Sequence, residues 1–471
     1  MIPILTSSRV FSGSITKEPV VKKINLITVA LTLVVQSGFA QDAADPYRIL
    51  FTNVNVFDGV SESLEMNTNV LVEDNLIAAV GPSITLPEGA EVIDGGGRTL
   101  MPGLADMHTH ISTFLPLDES RGNLHPYAHG AMATLRAEGM LMNGYTTIRD
   151  TGGAANYLRL IIDEGVAVGP RIYPSENWIT TTSGHGDFRT LNEPHPSING
   201  IDHFYDNYVS TIADGVDETT RAVRETFRRG ATQIKLFSSG GMTSRFDPLH
   251  SGPNAEEIRA AVKVAERWDT YVMTHSFQED AIRIAIDNGV KSIEHAPWIT
   301  DDIAKVMIEK GIFLAVGVGP VYEVDIETAR KQYNPASFKK WLAVREAAEE
   351  AMNVFSRNPE LKIVLGSDLL ASWQTVLDLD GKMNNEFTYF GKAIGNFRTL
   401  RMATSTAGEL NLMTGKMNPY TDGILGVIRK GAYADILLVN GNPMEDIELM
   451  TDPDKNFDLI MKDGKIYKNT L

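Results

Sequence analysis

Between Tyr127 and Asp368 the chain alternates two kinds of stretch. Short apolar runs read as strands, and longer segments with apolar residues three or four apart read as helices. The strand-like runs end at His108, then cover Gly144–Asp150, Arg171–Tyr173, Thr232–Phe237, Tyr271–His275, Lys291–His295, Ile312–Val316 and Leu361–Asp368. The helical segments between them are Tyr127–Met142, Asn156–Glu164, Asp217–Arg229, Ala255–Arg267, Glu279–Asn288, Asp301–Lys310 and a long one from Ser337 to Phe355. In one, Asn254 followed by Glu257 has the spacing of a capping box. Eight strand–helix units predict an α/β fold of the (β/α)8, or TIM, barrel type, with a doubly wound open sheet as the alternative.

The two ends of the chain follow a different rhythm. Ile49–Val56 and Asn69–Val72 alternate apolar and polar residues, as do stretches in Ala434–Val439 and Leu459–Lys465. Period-two alternation predicts strands. Neither end is large enough to bury a core alone. The expected arrangement is a small composite β-sandwich domain built from residues 41–101 and 416–471, flanking a barrel over 102–415.

Residues 1–40 stand apart. Lys22 and Lys23 precede an apolar run from Ile24 to Val35, and Gly38-Phe39-Ala40 places small residues where a leader peptidase cuts. This predicts an export signal and a periplasmic or secreted protein with no stable membrane association after cleavage. The run is short for a membrane span.

Composition narrows the chemistry. The 471 residues contain no cysteine, so thiolate metal sites and disulfides are excluded and any metal ligands must be His, Asp, Glu or a modified Lys. The net charge is −17, and residues 1–40 carry four basic side chains against one acidic, leaving −20 on the rest. Such an acidic body argues against nucleic acid as a partner.

Barrels of this type carry their chemistry at the C-terminal strand ends. Those ends, read from the sequence, hold His108 and His110, Lys235, His275, His295 and Asp368. His108 and His110 are two apart, so on a strand they share a face. A lone histidine in such a run is an ordinary core residue. Four histidines, a lysine and an aspartate at corresponding places predict a metal centre.

These residues lie in motifs. Pro102-Gly-Leu-Ala-Asp-Met-His-Thr-His110, Thr146-Thr-Ile-Arg-Asp-Thr-Gly-Gly153, Ile234-Lys-Leu-Phe-Ser-Ser-Gly-Gly241, Ser292-Ile-Glu-His295 and Gly366-Ser-Asp368 resemble the amidohydrolase superfamily. Within it, the chain is similar to the branch of Xaa-Pro dipeptidases, N-acyl amino acid hydrolases and ochratoxin-degrading amidases. The resemblance implies that His108, His110 and Asp368 hold one divalent ion and His275 and His295 a second. It implies that Lys235, carboxylated by CO2, bridges them. Nitrogen and oxygen ligands without sulfur suit zinc. It also implies hydrolysis of the amide bond of a small peptide or N-acyl amino acid by a hydroxide shared between the ions, with Asp368 moving the proton.

His185, after the third strand, resembles the family's substrate-side histidine, and Arg245 is a candidate clamp for a substrate carboxylate. Glu386 is expected to close the barrel mouth or to cap a helix. The family resemblance suggests assembly into oligomers. Two segments depart from the family pattern: Ser276-Phe277-Gln278 after His275, and Val316-Gly317-Val318-Gly319-Pro320 after the seventh strand. Position 367 is Ser where many relatives carry Thr. The competing functions are a cyclic-amide or lactone hydrolase, a one-metal deaminase, and an exported binding protein with an unused site.

Overall fold

The computed structural model describes residues 46–115, 125–199, 209–244, 249, 252–368, 371–372 and 382–471. The expected leader over residues 1–40 and the candidate Arg245 lie outside the described residues.

The eight expected barrel strands form. They are β1 (Leu104–Thr109), β2 (Tyr145–Asp150), β3 (Arg171–Pro174), β4 (Ile234–Phe237), β5 (Val272–Ser276), β6 (Ser292–His295), β7 (Phe313–Val316) and β8 (Lys362–Leu365). Parallel pairing links β1 to β2 to β3, and β4 through to β8. Backbone bonds connect the two groups at both ends. Thr232 N donates to Pro174 O between β3 and β4, and Asp368 N donates to His108 O between β8 and β1, each at 2.8 Å. The strands therefore close into a (β/α)8 barrel.

The interior explains why these runs are strands. Ala105 and Met107, Tyr271 and Met273, Phe313 and Ala315 point inward in pairs two residues apart, and with Val364 they fill the barrel. Ala407 and Leu410 of helix Ser405–Leu412 join this cluster near the strand starts, where Ala105 N bonds Ala403 O at 2.7 Å. The outer helices bury one stripe each. In Gly215–Arg228 the buried set is Thr219, Ala222, Val223, Thr226 and Phe227, the spacing of an amphipathic helix. Asn254 and Glu257 form the expected capping box, and the helix it opens runs Ala255–Arg267.

The terminal strands unite in one eight-stranded sheet, in which Thr99–Pro102 pairs antiparallel with Ile436–Val439. Ile49, Phe51, Val70, Val72, Leu100, Ile436, Leu438, Leu459 and Met461 enclose a core of their own, so the sheet curls over its contents. Its alternate residues Leu437, Val439 and Ile460 instead join the barrel's outer core. Strand Thr99–Pro102 runs directly into β1 through Gly103. A Cβ at Gly103 would lie 2.2 Å from Thr146 Oγ1, so only glycine lets β1 and β2 approach at this junction.

The long irregular stretch from Glu176 to Gly215 contains two three-residue strands, Trp178–Thr180 and Ser210–Ile212. Runs that short show no readable period. Among the described residues no helix is long and apolar enough to cross a membrane.

Candidate active site

The strand ends converge. His108 lies near the end of β1 and His110 just beyond it. Their Nε2 atoms are 3.6 Å and 3.3 Å from Asp368 Oδ1, so both histidines face one carboxylate from β8. Lys235 Nζ, on β4, is 3.3 Å from His108 Nε2. The ligand atoms of His108, His295 and Asp368 lie within 4.8 Å of one another. The His275 ring centroid is 4.6 Å from that of His295.

Hydrogen bonds fix which ring nitrogens carry protons. His108 Nδ1 lies 2.6 Å from Glu294 Oε2. A carboxylate only accepts, so Nδ1 donates and Nε2 keeps its lone pair. His110 Nδ1 faces Gly152 O at 3.3 Å, and its Nε2 faces Thr151 Oγ1 and Asp368. His275 Nε2 donates to Gly240 O at 3.2 Å, which leaves its Nδ1 free. Burial holds His108 and His275 well below the usual imidazole range and lowers His295 to about 4, so these rings are neutral near pH 7.

The result is that His108 Nε2, His110 Nε2 and Asp368 Oδ1 face one another, with the Lys235 amine beside them. Two nitrogen or oxygen ligands on one tetrahedral ion, each at its normal bond length, stand about 3.4 Å apart. The 3.3 and 3.6 Å separations match that spacing. The donor set fits a metal ion.

Lys235 is buried, and this pulls its ammonium down to about 8 even though the Glu294 and Asp368 carboxylates oppose the change. A neutral amine is thus within reach near neutral pH. Burial pushes the Asp368 carboxyl up, but its contact with His110 and the Lys235 ammonium nearby hold it below the usual carboxylate range. His295 and Asp368 have φ of 73° and 51°. Each non-glycine residue in this region costs about 1–2 kcal/mol, a strain typical of functional positions.

Side chains to which the sequence reading gave no role hold this arrangement. Glu294 and Arg149 are fully buried inside the barrel. Arg149 Nη2 donates to both Glu294 oxygens at 3.0 and 2.8 Å, and its Nε donates to Met107 O at 2.6 Å. Asp106 accepts from His108 N at 3.0 Å, Ser367 N at 3.1 Å and Ser367 Oγ at 2.5 Å, which ties β1 to the end of β8 beside Asp368. Ser367 needs only its hydroxyl for this bond, which a Thr would also supply. The available signal was a pair of opposite charges inside apolar strands, in Thr147-Ile-Arg149 and Ile293-Glu294.

A model of the amidohydrolase family matches residues 99–467. The chain belongs to the amidohydrolase family. Ochratoxinase from Aspergillus niger is 30% identical over 420 residues, covering 85% of this chain and 83% of the relative. A prolidase solved with N-methylphosphonate-L-proline superimposes with a TM-score of 0.79 at 30% identity, over 90% of this chain and all of that one. A Xaa-Pro dipeptidase with methionine in its active site gives 0.75 at 25%, again over 90% of this chain and all of that one. This amidohydrolase is a hydrolase of amide carbon–nitrogen bonds.

In the amidohydrolase, His185 stacks on His275 with ring centroids 4.4 Å apart. Its Nδ1 is 2.6 Å from Ser244 Oγ, which also accepts from Gly241 N at 2.8 Å. Burial lowers His185 to about 3, so the ring is neutral. A Cβ on Gly241 would sit 2.4 Å from the His185 ring, and glycine lets the imidazole lie flat there. Glu386 is buried and accepts from Val318 N at 2.9 Å and Gly319 N at 2.6 Å, so it clamps the loop after β7.

Proposed function

We propose that this amidohydrolase hydrolyses small substrates that carry a free carboxylate, namely dipeptides or N-acyl amino acids, with two divalent metal ions. His108, His110 and Asp368 would hold one ion, and His275 and His295 the other. Lys235 would bridge them as a carbamate. In forming it, the Lys235 nitrogen bonds to CO2 and releases one proton, leaving an anionic oxygen ligand. Zinc suits the nitrogen and oxygen ligands, and the absence of cysteine leaves no competing thiolate. One observation carries the reading: His108 Nε2 and His110 Nε2 converge on one oxygen of Asp368, at 3.6 and 3.3 Å, the spacing of ligands on a single ion.

When bound, the ions would supply Lewis-acid polarisation of the amide carbonyl and make a water acidic enough to attack near pH 7. Asp368, a carboxylate at that pH, takes the water proton and delivers it to the leaving nitrogen. Glu294 keeps the His108 proton on Nδ1, so Nε2 stays available. With Nδ1 of His185 occupied by Ser244, its Nε2 is left to contact the substrate carbonyl or carboxylate. Arg245 is the candidate carboxylate clamp. The prolidase with its bound proline derivative and the dipeptidase with bound methionine support an amino-acid-like substrate. The apolar run and Gly38-Phe39-Ala40 support export to the periplasm or beyond, and the family resemblance supports a homo-oligomer.

The test is metal analysis of the purified protein combined with turnover on a panel of dipeptides and N-acyl amino acids. Two ions per chain and chelator-sensitive hydrolysis are expected. Full turnover after complete metal removal would contradict the reading.

A further inference from the structure

An apolar cavity opens beside the site. His295 and Asp368 stand at one side of it, and Phe277, Val318, Val344, Ala348 and Phe355 form walls. Apart from His295 and Asp368, none of its described lining side chains carries a charge or a hydrogen-bonding group. The five wall residues named are themselves buried. The two segments that depart from the family pattern both reach this cavity: Phe277 from the loop after β5, and Val316, Gly317, Val318 and Pro320 from β7 and its loop.

The loop after β7 is held in place. Glu386 accepts both Val318 N and Gly319 N. A Cβ at Gly317 would lie 2.3 Å from Gly366 O, and one at Gly319 would lie 2.8 Å from Glu386 Oε1. Neither glycine can be enlarged without moving the clamp. The wall is therefore a fixed surface.

From these observations we infer that the cavity is a specificity pocket for a branched aliphatic side chain next to the scissile amide. The inference rests on the amide-hydrolase reading above and deepens it. The cavity volume is about 40 Å³. A valine, leucine or isoleucine side chain suits so small an apolar space better than an indole does. A charged side chain would lose its water without gaining a partner. Val344 and Ala348 lie one helical turn apart on Pro335–Arg357, so both present the same face to the pocket.

The test measures kcat/KM on two matched series, Xaa-Ala dipeptides and N-acetyl-Xaa, with Xaa as Gly, Ala, Val, Leu, Phe, Trp, Asp and Lys. In one series the wild-type enzyme should favour Leu over Gly by at least about 100-fold, since Leu adds four carbons and even two methylenes in a fitted pocket are worth about that much. Trp, Asp and Lys should be poor. Ala348→Leu fills the pocket and should bring the Leu/Gly ratio to within about 10-fold. Val344→Ala enlarges it and should raise the Phe/Val ratio about 10-fold. Because each readout is a ratio within one variant, a general loss of activity does not imitate the effect. If one variant fails to fold, the other and the wild-type series still decide. Hydrolysis with no dependence on Xaa, or an unchanged ratio in a folded variant, overturns the pocket and leaves the hydrolase reading standing. Hydrolysis of no member by the metal-loaded enzyme overturns both.

Discussion

Replacing Glu294 by glutamine removes one charge from a carboxylate that solvent does not reach. Arg149, equally buried, then keeps at most one of its two acceptors at 2.8 and 3.0 Å and loses the charge that balances its own. Breaking a buried pair from one side costs about 3–5 kcal/mol. The same substitution takes the anionic acceptor away from His108 Nδ1, which lies 2.6 Å from it. Loss of such a partner weakens metal binding about 10–100-fold. The two effects separate in the double variant Arg149→Met with Glu294→Gln. With both charges gone, the desolvation penalty goes too and most of the stability should return. The orientation of His108 should not. Denaturant unfolding of the metal-free proteins measures the first quantity, and titration against a chelator of known affinity measures the second. If metal affinity recovers together with stability, Glu294 acts only through Arg149 and the orienting role is wrong.

Other expectations follow from individual contacts. Gly241→Ala puts a Cβ 2.4 Å from the His185 ring, and kcat/KM should fall about 10–100-fold while metal content stays unchanged. Loss of metal in that variant would place His185 among the ligands. Burial raises Glu386 to about 8 from 4.5. Because the folded value lies above the unfolded one, the stability tied to this group is full below pH 4.5 and lost as pH rises through 8. Glu386→Gln does not ionise, so the variant should gain on the wild type across that window, by a few kcal/mol at most. Thermal midpoints measured at intervals from pH 4.5 to 8 check the sign. A flat difference would show that Glu386 is ionised throughout.

Much of this organisation is legible in the residues. The barrel strands are short apolar runs with helices of clear period between them, and the polar groups at their ends stand out because charge is costly there. The capping box at Asn254 and Glu257 is local chemistry, and it forms as written. What the sequence hides has physical reasons. Trp178–Thr180 and Ser210–Ile212 are too short to show alternation. Helices Gly319–Tyr322 and Ile326–Gln332 are too short for an amphipathic stripe. Arg149 and Glu294 read as separate charges because they are 145 residues apart, and only barrel closure brings them together. The left-handed backbone at His295 and Asp368 has no sequence signal, since neither is glycine. The two unusual loops are visible as sequence, but that both reach one cavity is a property of the fold.

The central claim is that six side chains, Lys235 among them, hold two metal ions that hydrolysis requires. Metal content per chain, measured alongside amide hydrolysis for the wild type and Lys235→Ala, tests it most directly. The account predicts two ions and turnover in the wild type, with loss of at least one ion and most of the activity in the variant. A Lys235→Ala protein that keeps two ions and full activity would contradict it.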